Sequence, residues 1–145
     1  MKKSSGIIVA ICCVFMLGVN VLTVYGANYK DSHWELTANP TGTIDTDTRA
    51  KQDSSKVYVK NLADSAATVS VSIYAKVSSG EDDCTYNPTA AYNKTAYQIS
   101  VGQYKYCSST VYEEHGYNTP TFLRITGYYT GRYYGIWSPD NYYGY

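Results

Sequence analysis

An alternation of apolar and polar residues over positions 68–78 constrains the fold of this 145-residue chain more than any other feature. Because the side chains of a β-strand point alternately to opposite faces, this spacing predicts a strand with one buried and one solvated face. No stretch after Ala27 shows the 3.6-residue period of an amphipathic helix. The apolar positions are Val69, Val71, Ile73, Ala75 and Val77.

Shorter runs with the same period recur along the chain. Residues 56–60 precede the long alternation across a polar turn, and we expect the two to form a β-hairpin. Residues 121–129 and 132–137 predict a second hairpin whose tight turn contains Gly131, because glycine accepts a positive φ. Seven or so short strands with turn signals between them predict an all-β fold, an antiparallel β-sandwich. The remaining runs are 97–101 and 104–107.

The first segment has the pattern of a secretory signal peptide. Two lysines precede an uncharged, mostly aliphatic run over 7–17, and small residues follow it. We expect cleavage after Gly26, which leaves residues 27–145 as a single secreted or surface-associated domain. The alternative is an uncleaved anchor, because residues 6–24 are about long enough to span a bilayer.

Two of the four cysteines leave with the signal segment, and Cys84 and Cys107 remain. In an exported domain, two cysteines most simply form one disulfide bond. A nucleophilic cysteine or a metal pair is the alternative. It is weakly supported, because no CxxC spacing is present and only His33 and His115 could complete a metal site. The sequence therefore predicts a structural disulfide between Cys84 and Cys107.

The charge balance limits the partners of this chain. Lys and Arg number 12, Asp and Glu number 12, and charged residues make up only 17% of the sequence. Loss of the two N-terminal lysines leaves the exported part mildly acidic. A nucleic-acid binder of the ordinary electrostatic kind is therefore excluded.

Catalytic and metal-binding patterns are weak. Glu113 and His115 flank the one cluster of carboxylates and histidine, and a hydrolase would have to use them, but a solvated turn explains them better. The acidic stretch 81–83 and the pair Asp45 and Asp47 lack the spaced ligands of a calcium loop. We predict no catalytic residue, no metal site and no cofactor, and hence a protein that is not an enzyme.

Tyrosine is the unusual component, with 18 residues against 2 Phe and 2 Trp. Tyrosine suits sheet cores through its β-propensity, but it also suits binding surfaces, because its ring offers contact area and a hydroxyl. In the adjacent pairs 128–129 and 133–134, neighbouring side chains point to opposite faces, so one of each pair should lie outside. We expect contact with a cell-surface glycan or protein through four residues, Tyr128, Tyr133, Tyr142 and Tyr143.

Two stretches resemble a known group of proteins. Arg49 with the segment 53–60, and the ending Gly-Ile-Trp-Ser-Pro-Asp at 135–140 after Leu123-Arg124, resemble a loose group of small exported proteins of Gram-positive bacteria. Members are mostly of unknown function, and some accompany bacteriocin-like systems. The resemblance implies an alternative function, a bacteriocin-like antimicrobial acting on the envelope of related bacteria. Only this alternative involves membrane contact.

Overall fold

Strands dominate the computed structural model, which describes residues 28–141. Within that range ten β-strands and one short helix follow one another along the chain. The elements are β1 (Ser32–Ala38), β2 (Gly42–Asp45), β3 (Arg49–Lys51), β4 (Val57–Asn61), β5 (Val69–Val77), β6 (Gly80–Asp83), β7 (Tyr97–Ile99), β8 (Tyr104–Cys107), α1 (Val111–His115), β9 (Thr119–Gly127) and β10 (Gly131–Ser138).

The strands form two antiparallel sheets, which confirms the predicted all-β sandwich. The four-stranded sheet has the order β1-β10-β4-β8. In the six-stranded sheet, β9 and β5 pair at the centre. One edge is completed by β2 and β3, which pair with successive parts of β9, and the other by β6 and β7, which pair with β5. The predicted signal segment and its predicted cleavage site lie outside the described residues.

The alternation that predicted a half-buried strand is found in β5. Val69, Val71, Ile73 and Ala75 are fully buried, while Tyr74 is half-buried on the opposite face. Full burial of a Val or Ile side chain contributes roughly 1.5–3 kcal/mol, so this strand supplies much of the core. The opposing sheet contributes Val57, Val59, Tyr133 and Trp137, each with no solvent exposure.

Both predicted hairpins are wrong. The neighbours β4 and β5 lie in different sheets, and so do β9 and β10. Each intervening turn therefore crosses from one sheet to the other. Gly131 has φ +152° at one crossing, and a Cβ there would lie 2.4 Å from the Cβ of Ala66. A period of two identifies the buried face of each strand but carries no information about which strand is its neighbour.

The end of the sandwich is closed by a buried carboxylate. Asp140 accepts hydrogen bonds from the Lys51 ammonium at 2.9 Å and from the backbone N–H groups of Gln52 and Asn28. Both Lys51 and Asp140 are almost completely buried, so their charges neutralise each other away from water. The two stretches that carry the sequence resemblance also meet here, because the N–H of Asp53 donates to Asp140 at 3.4 Å and the guanidinium of Arg49 donates to the carbonyl of Trp137 at 3.3 Å.

No helix between residues 28 and 141 is both long enough and apolar enough to cross a membrane.

Candidate functional site

Three tyrosine rings form a cluster on the outer face of the four-stranded sheet. Tyr58 of β4 pairs in register with Tyr106 of the edge strand β8, and Tyr104 lies two residues earlier on the same face. The ring centroids are separated by 5.6 to 5.8 Å for all three pairs. Tyr104 is 55% exposed and Tyr106 is 36% exposed. We call these three residues the tyrosine face.

A groove of about 350 Å³ adjoins the tyrosine face. Tyr58 and Tyr106 form its aromatic wall, and Asp31 supplies a carboxylate. Burial, and then the charge of Asp31, raises the pKa of the Tyr58 hydroxyl, which therefore stays protonated and can donate a hydrogen bond. The other lining residues are Tyr29, Ser138, Asp140 and Asn141.

The tyrosines predicted to contact a ligand are divided by the structure. Tyr128 is 53% exposed in the turn after β9, as expected of a surface residue. Tyr133 is fully buried, which corrects the expectation that it lies outside. Tyr142 and Tyr143 lie outside the described residues.

The burial of Tyr133 has a local cause. Its hydroxyl donates to the carbonyl of Tyr129 at 2.6 Å and accepts from the N–H of the same residue at 3.1 Å. Its ring occupies space left by Gly127, where a Cβ would lie 2.7 Å from the ring. Of the pair 133–134, the outer member is therefore Tyr134, which is partly exposed.

The tyrosine face was missed in the sequence, although a signal for it was present. Tyr104 and Tyr106 are two residues apart, the spacing that places two side chains on one face of a strand. The contribution of Tyr58 depends on the pairing of β4 with β8, which brings together residues 48 positions apart in the chain. Local periodicity cannot predict such a pairing.

Cys84 and Cys107 are free thiols in the structure, and both are buried. Burial raises the pKa of Cys107 to about 12. Thr85 pairs with Ser109, and the N–H of Thr110 donates to the carbonyl of Cys84 at 2.9 Å, so the backbone partner of Cys84 is Thr110 and not Cys107. The disulfide stays a prediction.

A second group of polar side chains gathers between the end of β6 and α1. Asp82, Cys84, Glu114 and His115 each offer one ligand atom, and these four atoms all lie within 4.8 Å of one another. The Nε2 atom of His115 lies 2.9 Å from Asp82 and 4.0 Å from Glu114. The sequence did not indicate this group, because its two halves are about 30 residues apart.

The other acidic residues that the sequence offered as metal ligands or catalytic groups make different contacts in the structure. Asp45 and Glu81, from the two acidic stretches, both bind Arg124, whose pKa is raised by the hydrogen bonds to Asp45 and then to Glu81. Glu113 lines a cavity of about 480 Å³, whereas His115 contacts Asp82, which does not line that cavity. The two residues that a hydrolase would have to use therefore have different surroundings.

Comparison with known families places the chain in one of them. It belongs to the family described as protein of unknown function (DUF2712), whose model matches residues 20–141. Neither curated proteins nor solved structures give a significant match to this chain.

Proposed function

We propose that this chain is an exported, non-enzymatic binding protein that takes up a glycan on the tyrosine face and in its groove. The observation that carries the proposal is the exposed cluster of three rings beside a polar groove. Tyr104 is 55% exposed and Tyr106 is 36% exposed, so both rings present apolar surface to solvent. Contiguous exposed aromatic surface of this kind marks a recognition site more often than it serves stability.

The chemistry of the groove matches a sugar. A pyranose has a C–H face that packs on an aromatic ring and a rim of hydroxyl groups that require hydrogen-bond partners. Tyr58 and Tyr106 supply rings inside the groove, Tyr104 adds a ring beside them, and Asp31 supplies a hydrogen-bond acceptor in the groove lining. The volume of about 350 Å³ lies at the lower end of the range for small-molecule sites, which suits one or two sugar units.

A glycan fits these features better than a protein partner does. Stable protein interfaces bury about 800 Å² on each side, with a dry apolar centre. The rings here border a groove that contains a carboxylate and hydroxyl groups. Such a mixture leaves polar groups in contact with water, as sugar-binding sites do.

The experiment begins with the purified exported protein on an array of defined bacterial and host oligosaccharides, and calorimetry then measures the affinity for the best binder. We expect Tyr104→Ala and Tyr106→Ala to weaken that affinity at least tenfold each, which corresponds to about 1.4 kcal/mol. Tyr92→Ala is the matched control, because Tyr92 is 80% exposed but belongs neither to the tyrosine face nor to the groove lining.

Unchanged affinity in both tyrosine variants would rule out the tyrosine face as the site. If Tyr128→Ala loses affinity instead, the binding site lies in the turn after β9, as the sequence predicted. A protein that binds no oligosaccharide but retains a protein partner through Tyr104 would contradict the glycan proposal. The antimicrobial alternative predicts growth inhibition of related bacteria by the purified protein, and no feature between residues 28 and 141 favours it specifically.

A further inference from the structure

We propose that Asp82, Cys84, Glu114 and His115 form a binding site for a Zn²⁺ ion. Their four ligand atoms lie within 4.8 Å of one another, and they include one sulfur and one imidazole nitrogen. The site is independent of the glycan proposal, because its residues belong to β6, the residue that follows it and α1, whereas the tyrosine face belongs to β4 and β8.

The two segments that would hold the ion are fixed to each other by the backbone. The N–H of Thr110 donates to the carbonyl of Cys84 at 2.9 Å. The N–H of Glu114 then donates to the carbonyl of Thr110 at 2.9 Å, which forms the turn of α1. Cys84 is anchored on its other side, where its own N–H donates to the carbonyl of Ile73 at 2.9 Å. These hydrogen bonds fix the end of β6 beside α1, where the side chains of Cys84 and Glu114 lie close together.

The positions along each segment also favour convergence. Asp82 and Cys84 are two residues apart at the end of β6, so their side chains leave the extended chain on the same side. Cys84 is fully buried and approaches from below, while Asp82, Glu114 and His115 approach from the solvent side. An ion placed among them would contact the protein interior through Cys84 and could reach the site from solvent.

The donor set selects the metal. Thiolate, imidazole and carboxylate oxygen are the ligands that Zn²⁺ accepts in tetrahedral sites, whereas Ca²⁺ and Mg²⁺ require oxygen ligands. Bonds of ~2.0–2.3 Å to Zn²⁺ place the ligand atoms about 3.3–3.8 Å apart. The observed spread of up to 4.8 Å therefore requires a movement of about 1 Å, which the half-exposed side chain of Glu114 can supply.

Binding has a defined proton balance. Cys84 gives up its thiol proton to solvent and coordinates through the sulfur. His115 coordinates through the Nε2 lone pair, so its proton resides on Nδ1, and its 2.9 Å contact with Asp82 is replaced by two bonds to the ion. Four protein ligands leave no open coordination position, so the ion would be structural and would join α1 to β6.

The test uses the purified protein, stripped of metal by a chelator and kept reduced. Co²⁺ replaces Zn²⁺ as a spectroscopic probe, and we expect one Co²⁺ per chain with a thiolate-to-cobalt charge-transfer band that Zn²⁺ abolishes by displacement. Cys84→Ser should remove the band, and His115→Ala should weaken Co²⁺ affinity at least tenfold. Cys107→Ser and His33→Ala are the matched controls, and both should bind as the wild type does.

Three results would overturn the proposal. The first is the absence of a charge-transfer band in both the wild type and Cys107→Ser. The second is equal affinity in Cys84→Ser, His115→Ala and their controls. The third is that the protein as exported carries a Cys84–Cys107 disulfide and binds no metal. A zinc-dependent rise in melting temperature that Tyr104→Ala preserves and His115→Ala abolishes would support it, and would separate this site from the tyrosine face.

Discussion

The carboxylate of Asp140 joins the end of the chain to the segment around Lys51. Replacing it in Asp140→Asn would remove the buried counter-charge of the Lys51 ammonium and leave only the more exposed Asp53, at 3.6 Å. We expect a loss of about 3–5 kcal/mol in the free energy of unfolding, measured by urea denaturation, because breaking a buried ion pair strands the partner. The exposed Asp64 gives the control, Asp64→Asn, which should change stability by less than about 0.5 kcal/mol. Equal stability in the two variants would contradict this role.

Cys107 gives a prediction for alkaline pH. Its pKa is raised by burial to about 12 in the folded protein, whereas an unfolded cysteine ionises near pH 9. The folded state therefore binds the Cys107 proton more tightly than the unfolded state does. The contribution of this proton to the free energy of unfolding is fully present below about pH 9 and is lost as the pH rises toward 12. The free energy of unfolding should fall over this window, and Cys107→Ala should reduce the slope. An identical slope in the variant would show that Cys107 does not titrate there, as in a disulfide.

The choice between neighbouring residues was the least predictable feature at this scale. The adjacency of Tyr133 and Tyr134 correctly implied that one of them lies outside, but it did not say which. That choice depends on Gly127, which makes room for the ring of Tyr133, and on the turn that places the carbonyl of Tyr129 within reach of its hydroxyl. Neither contact can be predicted from the alternation of apolar and polar residues along the strand.

At the scale of elements, β1 and β10 meet through a glycine and a tryptophan. Trp34 pairs with Gly135, and a Cβ on Gly135 would lie 2.0 Å from the ring of Trp34. We expect Gly135→Ala to destabilise the protein by about 1–3 kcal/mol, because the ring of Trp34 and the carbonyl of Lys60, 2.4 Å from the new Cβ, must both shift. Thermal unfolding followed by circular dichroism would measure this.

The same pair supplies its own control. Trp34→Leu removes the ring that the new methyl group would meet, so Gly135→Ala should cost less in that background than in the wild type, and the remaining cost comes from the carbonyl of Lys60, 2.4 Å from the new Cβ. The measured quantity is the coupling free energy, which is the difference between the effect of the double substitution and the sum of the two single effects. Additive effects would place the cost of the alanine elsewhere, for example in the backbone.

The elements themselves were largely predictable from the sequence, and their connections were not. The alternation in 68–78 identified β5 and its buried face, because burial depends on the strand's own residues. The pairing of β10 with β1 and β4, instead of with β9, depends on contacts up to 105 positions apart. The five-residue helix α1 was also missed, since one buried residue, Val111, gives no periodic signal.

For the whole molecule, the two proposed sites lie on different sheets and share no residue. The tyrosine face belongs to the edge of the four-stranded sheet, and the metal ligands border the edge of the six-stranded sheet. Neither could be predicted from the sequence, because each combines two segments that only the fold brings together. Substitutions in one site should therefore leave the other unchanged, which makes the two proposals separable in a single set of variants.

Shortening the chain separates the contribution of its end to folding from any contribution to binding. A chain that ends at Pro139 lacks Asp140, so Lys51 loses its buried counter-charge and the N–H of Gln52 loses its acceptor. We expect it to unfold at a markedly lower temperature, or not to fold, in circular dichroism. A chain that ends at Asn141 retains these bonds and should bind the oligosaccharide within twofold of the full chain, because the tyrosine face is intact. If the longer form loses binding while remaining folded, the site belongs to Tyr142 and Tyr143, and the tyrosine face is only structural.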